Sequence, residues 1–598
     1  MSTVAERLSA LRALMKERNL QAYIVCTDDF HGSEYVGSYF KAREFMSGFT
    51  GSAGTLVVLQ DEAGLWTDGR YFLQAADQLE GSTITLMKMG QEGVPTIGEY
   101  LADKLSDGSR IGFDGRTVTD AFVGGLTARL KGRDMAYVCG EDLVDPVWTD
   151  RPALSKEPVW ELSEEYTGMG RGDKLKKIRE TMSKEKADVL VLTALDDIAW
   201  LLNLRGNDVA YNPVFLSYML VEAEKATLYL DESILNADIK AKLSADGIEL
   251  KKYNDIYSDL RKLSSDASVI VDKATANYLI VHSLPNADKV KAEQSPVVLP
   301  KAIKTKAEMD NERQAHIKDG MAVTHFIYWL KQNVGKIEIT ELSAAEKLDE
   351  FRKKQEGYLG QSFDPIMGYG PHGAIVHYEP TKESDAKLEP SSFLLADTGG
   401  HYYEGSTDIT RTIALGTLTE EEKKIFTLVL KGNLNLAAAQ FLYGERGENL
   451  DYLAREPLWK NGLDYNHGTG HGVGYLLNVH ERPNGIYSRI MEGRTPSAVF
   501  EEGMITSDEP GMYLAGKFGV RHENLVLCVK REKTEYGQFM GFDTLTMVPF
   551  DLDAVDTSYM TAEEIKLLND YHAKVFTSIS SDFEGEELEW LKTVTRAL

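Results

Sequence analysis

The sequence predicts a mixed α/β (α+β) protein, with two related N-terminal α/β domains and a third, larger region of different texture. Three observations carry this reading. Helical and strand-like segments alternate through the first half of the chain. A pattern met near the N-terminus starts again after residue 170. Beyond Gly357 the chain turns to glycine-rich turns and short β-like runs that continue to about residue 550. At 598 residues the chain is too long for one ordinary domain, since ~150 residues per domain is typical. The expected segments are 1–155, 156–305 and 306–598.

The first module opens with MSTVAERLSALRALMKERNLQAY, where Leu8, Leu11, Leu14 and Met15 recur at helical spacing between charges. AYIVC and GTLVVL read as strands, and EAGLWTDGRYFLQAA as turn, short strand and helix. STITLMKM and SRIGFDG read as further buried strands between the helical stretches YLADKLS and DAFVGGLTARLKG. The second module repeats the order. LKKIRETMSKEKADVLVLTALDD parallels LSALRALMKERNLQAYIVCTDD, each an amphipathic helix before a strand that ends in Asp-Asp. FLSYMLVEAEKATLYLD then parallels GTLVVLQDEAGLWTDGR, which points to an internal duplication. The third region begins with a long helix over IKTKAEMDNERQAHIKDGMAVTHFIYWLKQNV and a second over LSAAEKLDEFRKKQ. It ends with helices over DTSYMTAEEIKLLNDYHAKVFTSIS and ELEWLKTV.

Composition narrows the function. Lys and Arg total 66 against 93 Asp and Glu, a formal charge of −27. Such a chain lacks the basic surface that binds a phosphate backbone, so no nucleic-acid partner is expected. No window approaches the ~18 apolar residues of a membrane span, and the N-terminal helix is no signal peptide. Cys26, Cys139 and Cys528 are too few and too scattered for a disulfide framework, and read as buried free thiols in a reducing compartment. A cytoplasmic protein with no membrane partner is expected.

Seven of the twelve histidines fall between residues 372 and 522, where random scatter would place about three. Five residues of the same region form a ligand set: Asp397 and Asp408 in LLADTGGHYYEGSTDITRT, His471 in HGTGHGVG, Glu509 in TSDEPGMY and Glu523 in GVRHENLVL. SFLLAD and STDITRTIAL read as two arms of a hairpin that brings the aspartates onto one face. A carboxylate at the end of an apolar strand is costly unless paired or metal-bound. Alternation along GVRHENLVL puts Arg521 and Glu523 on one side and His522 on the other. Four carboxylates balance two divalent ions, and a bridging hydroxide leaves the site at −1. Oxygen-rich ligation with one imidazole suits Mn²⁺, with Co²⁺ or Zn²⁺ as alternatives, better than it suits a structural zinc. Two such ions polarise a carbonyl and acidify a shared water.

These residues carry a resemblance. The third region resembles the pita-bread catalytic domain of the metallopeptidases that include methionine aminopeptidase, prolidase and aminopeptidase P. DDIAWLLNLRGNDVAYNPVFLSYMLV, PIMGYGPHGAIVHY, LLADTGGHYYEGSTDITRTIALG, HGTGHGVGYLLNVHERP and TSDEPGMY closely resemble the three-domain, cytosolic-type Xaa-Pro aminopeptidases, and the likeness runs over essentially the whole chain. It implies hydrolysis of the N-terminal Xaa-Pro bond of peptides with proline in second place, by attack of a metal-bridging hydroxide, in a homodimer. It implies that Asp397 chelates one ion, that Asp408 and Glu523 bridge both, and that His471 and Glu509 complete the second. His377, His467 and His480 match three further catalytic and substrate-binding histidines, and Glu509 matches the proton shuttle. Tyr513 matches a proline-pocket tyrosine, and Arg521 an arginine beside the bridging glutamate. The alternatives are a prolidase restricted to Xaa-Pro dipeptides and a non-catalytic binding protein of the same fold. The two N-terminal modules favour the aminopeptidase over a prolidase, and the complete ligand set disfavours the binding protein.

Overall fold

The repeat in the N-terminal half is a repeat of topology. The computed structural model describes residues 2–489 and 495–598, and the chain divides into two compact units. Met1–Leu162 with Met169–Val298 form the first, and Ser163–Gly168 with Leu299–Leu598 the second.

The first unit holds two six-stranded sheets. One uses Ala22–Cys26, Thr55–Leu59, Ala63–Thr67, Thr85–Lys88, Arg110–Gly112 and Ala136–Val138. Numbered along the chain, they lie in the order fourth, third, second, first, fifth, sixth. The other uses Val189–Leu192, Tyr218–Glu222, Ala226–Leu230, Ile248–Lys252, Val269–Val271 and Val290–Lys291 in the same order. Strand directions match as well. In each sheet the first strand is antiparallel to the second and parallel to the fifth, and the third is parallel to the fourth. The opening helix Val4–Glu17 is closed at its N-terminus by a Thr3–Glu6 capping box and buries Leu8, Leu11 and Met15. Each buried side chain stabilises by roughly 1.5–3 kcal/mol.

Two details differ from the sequence reading. Thr85–Lys88 is not buried: it is the sheet's edge strand and only its middle residues are half-covered. Neither strand ends in Asp-Asp. The first stops at Cys26, before Asp28 and Asp29. The second stops at Leu192, and Asp196 and Asp197 open the helix Leu195–Leu202, where the helix dipole favours carboxylates.

The second unit starts with the helix Lys306–Asn333, capped by Thr305 and Glu308, followed by Glu341–Arg352. Phe326, Leu330 and Leu348 from this pair pack against Met367, Leu394, Ile409 and Ile413 of a three-stranded sheet. That sheet is antiparallel, with Phe393–Thr398 between Ile366–Tyr369 and Ile409–Ala414. A six-stranded antiparallel sheet orders Gln440–Leu442, Gly537–Thr544, Asn524–Thr534, Ile505–Asp508, Gly470–Gly472 and Glu481–Ile486. The expected helices Ala562–Ile579 and Gly585–Val594 close the chain.

Between residues 357 and 550 the chain is not all turns and strands. Two helices, Glu420–Ala437 and Gly447–Trp459, lie there. The first buries Ile425, Phe426, Thr427, Leu428, Val429 and Leu430 in succession, and so short an apolar run does not distinguish helix from strand. Its start was marked by Thr419 and Glu422, which form a capping box. The second carries Pro457, a residue that argues against helix on sequence alone. All three cysteines are free; Cys528 is buried, Cys26 and Cys139 half-buried. No helix among the described residues is long and apolar enough to cross a membrane.

Candidate metal centre

Asp397 lies one residue from the end of its strand, directly opposite Thr410 in the antiparallel ladder. Asp408 is not within the partner strand, as STDITRTIAL suggested, but immediately before it. The two arms do form a hairpin: beyond Asp408, Gly400–Tyr402 pairs with Gly405–Ser406 in the same register, and the turn is at Tyr403 and Glu404. Asp408 and Thr410 are two positions apart, so the strand period returns Asp408 to the face shared by Thr410 and Asp397. Glu509 follows Ile505–Asp508 directly. Glu523 sits at a break between Phe518–Arg521 and Asn524–Thr534, not inside one continuous strand. The expected division of sides still holds. Arg521 and Glu523 enter the site, while the His522 ring packs 4.3 Å from Phe426 and 5.3 Å from Phe550, centroid to centroid.

Ligand atoms of Asp408, His471 and Glu523 lie within 4.8 Å of one another. His471 Nε2 is 3.5 Å from Asp408 Oδ2 and 3.5 Å from Glu509 Oε1. His471 Nδ1 is 3.0 Å from the Gly472 carbonyl, which can only accept, so Nδ1 carries a proton and Nε2 faces the carboxylates. His471 N donates to Ser507 Oγ at 2.9 Å, and that hydroxyl donates to Glu509 Oε1 at 3.1 Å. The glycines of HGTGHGVG make this approach possible: a Cβ on Gly470 would lie 1.9 Å from the Ser507 carbonyl oxygen.

Arg521 ties the other side together. It donates to Asp397 Oδ2 at 2.6 Å, to the Tyr513 hydroxyl at 2.8 Å and to Thr410 Oγ1 at 3.2 Å. Thr410 in turn donates to Glu523 Oε2 at 2.7 Å. The Tyr513 hydroxyl is 2.9 Å from His467 Nε2, whose Nδ1 faces the Gly468 carbonyl at 2.7 Å. In the neutral ring, Nδ1–H donates to that carbonyl and Nε2 accepts from Tyr513. The His480 ring stands edge-on to His471 at 4.3 Å. His377 is half-buried and follows the turn Gly370–Ala374. That turn is docked on the strand ending in Arg521, since a Cβ on Gly519 would lie 1.7 Å from the Gly373 carbonyl oxygen.

The electrostatics are those of a site built for cations. Burial, reinforced by Asp408, Glu509 and Asp397, pushes the Glu523 carboxyl far above the carboxylate range. Burial raises Asp397 as well, and Asp408 adds to it against the pull of Arg521. Glu509 is raised to about 7 by burial and by Asp408 and Asp397, although His471 and Arg521 oppose this. Burial opposes charge on His471, yet Asp408 and Glu509 overcome it and lift that ring to about 9. Oδ1 of Asp397 is buried and makes no hydrogen bond. An orphaned carboxylate oxygen, mutually repelling carboxyls and a convergent imidazole nitrogen fit divalent cations, and the oxygen-rich set fits hard ions.

The histidine enrichment overstates the site. His372 bonds Glu341 at 2.8 Å, His401 bonds Ser406 at 2.8 Å, and His522 is a core residue pushed down to about 3 by burial and Arg411. Thr410 and Ser507, which donate hydrogen bonds to Glu523 and Glu509, carried no signal in the sequence beyond their places two residues from Asp408 and Glu509.

Known proteins resemble the chain along its whole length. Residues 310–530 match the model of metallopeptidase family M24, and residues 538–598 that of the C-terminal region of peptidase M24. Residues 7–145 and 150–308 match two models of the creatinase/prolidase N-terminal domain. A probable Xaa-Pro aminopeptidase P of Neurospora crassa is 42% identical over 98% of this chain and 88% of its own. One from Sordaria macrospora is 42% identical over 98% of both. The crystal structure of an X-prolyl aminopeptidase from Caenorhabditis elegans, described as a cytosolic enzyme with a di-nuclear active site, covers 100% of both chains at 36% identity with a TM-score of 0.95. With that likeness over its full length, the chain belongs to metallopeptidase family M24, among the Xaa-Pro aminopeptidases P.

Proposed function

We propose that this protein is a cytoplasmic Xaa-Pro aminopeptidase, a metallo-exopeptidase that releases the N-terminal residue from peptides with proline in second place. The observation that carries the reading is the convergence of Asp408, His471 and Glu523 in a chain similar along its whole length to a di-nuclear X-prolyl aminopeptidase. Asp397, Asp408, His471, Glu509 and Glu523 would hold two divalent ions, with Asp408 and Glu523 shared and Mn²⁺ the best fit to so many oxygens. The chemistry such a pair supplies is polarisation of the scissile carbonyl and acidification of water. We further assign residues 1–155 and 156–305 to scaffold domains, residues 306–598 to catalysis, and the active form to a homodimer.

The protein's own groups do the rest. Glu509 takes the nucleophile's proton and delivers it to the proline nitrogen as the bond breaks. His377 and His480 orient the carbonyl and stabilise its developing negative charge. An Xaa-Pro bond has no N–H to dock, so recognition falls to the shape of a ring pocket. His467 and Tyr513 form its polar wall, held by the bond between them and by Arg521.

A small peptide panel tests the activity. The metal-loaded protein is expected to cleave Xaa-Pro-Pro and longer Xaa-Pro peptides at the first bond and to leave Xaa-Ala peptides intact. Cleavage confined to Xaa-Pro dipeptides would identify a prolidase instead. Tyr513→Phe keeps the ring and removes both hydroxyl bonds. It is expected to raise KM for Xaa-Pro peptides roughly tenfold, the weight of one or two hydrogen bonds of about 1 kcal/mol, with metal content unchanged. Loss of bound metal in this variant would move Tyr513 from the substrate pocket to the ligand shell.

A further inference from the structure

We propose that the buried Asp319–Arg352 pair is a positioning clamp that sets the separation of Asp397 and Asp408, and through it the affinity for the second ion. This inference rests on the two-ion reading above.

The ladder is interrupted beside Asp408. Pairing between the two aspartate strands reaches Thr398 opposite Ile409. The arms pair again in the same register at His401 opposite Ser406 and Tyr402 opposite Gly405, so Asp408 stands in a gap between the two stretches. Four mutually repelling carboxyls load that gap, and groups outside the ladder brace it.

The clamp reaches the residue next to each aspartate. Asp319, on the helix Lys306–Asn333, accepts from Arg352 Nε at 2.7 Å and from Arg352 Nη2 at 3.0 Å. The remaining donors to Asp319 come from the hairpin arms beside the gap: the Thr407 hydroxyl at 2.7 Å and the Tyr402 hydroxyl at 2.9 Å. Arg352, the last residue of Glu341–Arg352, also donates to Thr398 Oγ1 at 3.0 Å and to the Gly399 carbonyl at 3.1 Å. Thr398 follows Asp397, and Thr407 precedes Asp408. Thr407 further bonds Gly400 through its amide and its hydroxyl, both at 2.9 Å. Thus two helices hold both ends of the opening between the aspartates. Asp319 is wholly buried and Arg352 only 1% exposed. Burial disfavours charge on Asp319, but Arg352 and the hydroxyl donors keep it below the usual carboxylate range. A buried ion pair is a weak source of net stability, because desolvation offsets its attraction. Its rigidity and full hydrogen bonding suit it to fixing geometry.

The test is calorimetric titration of chelator-stripped protein with MnCl₂, alongside thermal melts, for wild type, Thr407→Val, Asp319→Asn and Val575→Ala. Val575 is buried in the C-terminal helix packing and serves as a stability control. Wild type is expected to take up two ions per chain. Thr407→Val, which removes only the hydroxyl bonds, and Asp319→Asn are expected to fold, to bind the first ion as wild type does, and to bind the second roughly 10–100-fold more weakly, as for partners that orient ligands. Val575→Ala is expected to lower Tm with both affinities intact. Should Asp319→Asn fail to fold, Thr407→Val decides alone. Folded clamp variants that bind both ions with wild-type affinity would overturn the clamp and leave the site reading standing. A wild type that binds no ion pair would overturn both.

Discussion

Glu523→Ala is expected to remove bound metal and turnover together while the protein stays folded. Glu523 is 2% exposed and its carboxyl is pushed up by burial and by three neighbouring carboxyls. In a metal-free chain that group is under strain, so deleting it relieves repulsion and costs little beyond a small cavity and the Thr410 bond. In a metal-loaded chain the same group supplies oxygens and a charge that no neighbour can replace. The expected result is fewer than two ions per chain by elemental analysis and a fall in kcat/KM of at least about 1000-fold, on the order of 4 kcal/mol of transition-state stabilisation. Melting should stay cooperative. Glu523→Gln is expected to behave alike, because an amide keeps the shape but loses the charge. Full metal content or full activity in either variant would refute the ligand assignment.

The five proposed ligands were legible in the sequence because each stands in a local context with a physical signature. Asp397 ends an apolar run, His471 lies among glycines that only close backbone approach explains, and Glu509 precedes Pro510-Gly511. The duplicated sheets were legible from the order of helices and strands, since period and punctuation are local properties. What stayed hidden was of two kinds. Glu420–Ala437 buries Ile425 to Leu430 in succession, and so short an apolar run reads as strand as readily as helix. The partners Thr410, Ser507, Asp319 and Arg352 act through tertiary bonds: Arg352 meets Thr398 across 46 residues of chain, and no spacing rule links them. Ligands declare themselves by chemistry, whereas the groups that aim them are ordinary side chains whose role exists only in the folded chain.

In the metal-free protein the stability contributed by the carboxylate and imidazole groups of the site is expected to fall as pH rises, the reverse of the usual acid denaturation. Glu509 titrates in the folded chain near 7 rather than at its ordinary 4.5, because burial and its carboxylate neighbours disfavour the charged form. Between those values the native state binds a proton that the unfolded chain has released. The contribution is therefore fully present below about 4.5 and lost as pH rises through 7. His471 acts in the same direction: its folded value near 9 exceeds its ordinary 6.5, so its contribution is present below 6.5 and lost as pH rises through 9. Asp397 and Glu523, both raised, add to the effect. Together these groups are expected to change stability by several kcal/mol between pH 5 and pH 9. Divalent cations satisfy the same carboxyls, so Mn²⁺ should raise Tm strongly at pH 8 and little at pH 5, where protons compete for the ligands. Thermal melts of chelator-stripped protein across this range, with and without Mn²⁺, measure it. Subtracting the melts of a metal-free variant carrying Asp397→Asn, His471→Gln, Glu509→Gln and Glu523→Gln together removes the background of all other titrating groups. A wild-type Tm that held flat or rose with pH relative to that variant would show that the buried carboxyls are neutralised within the chain itself, and that the site needs no cation to be stable.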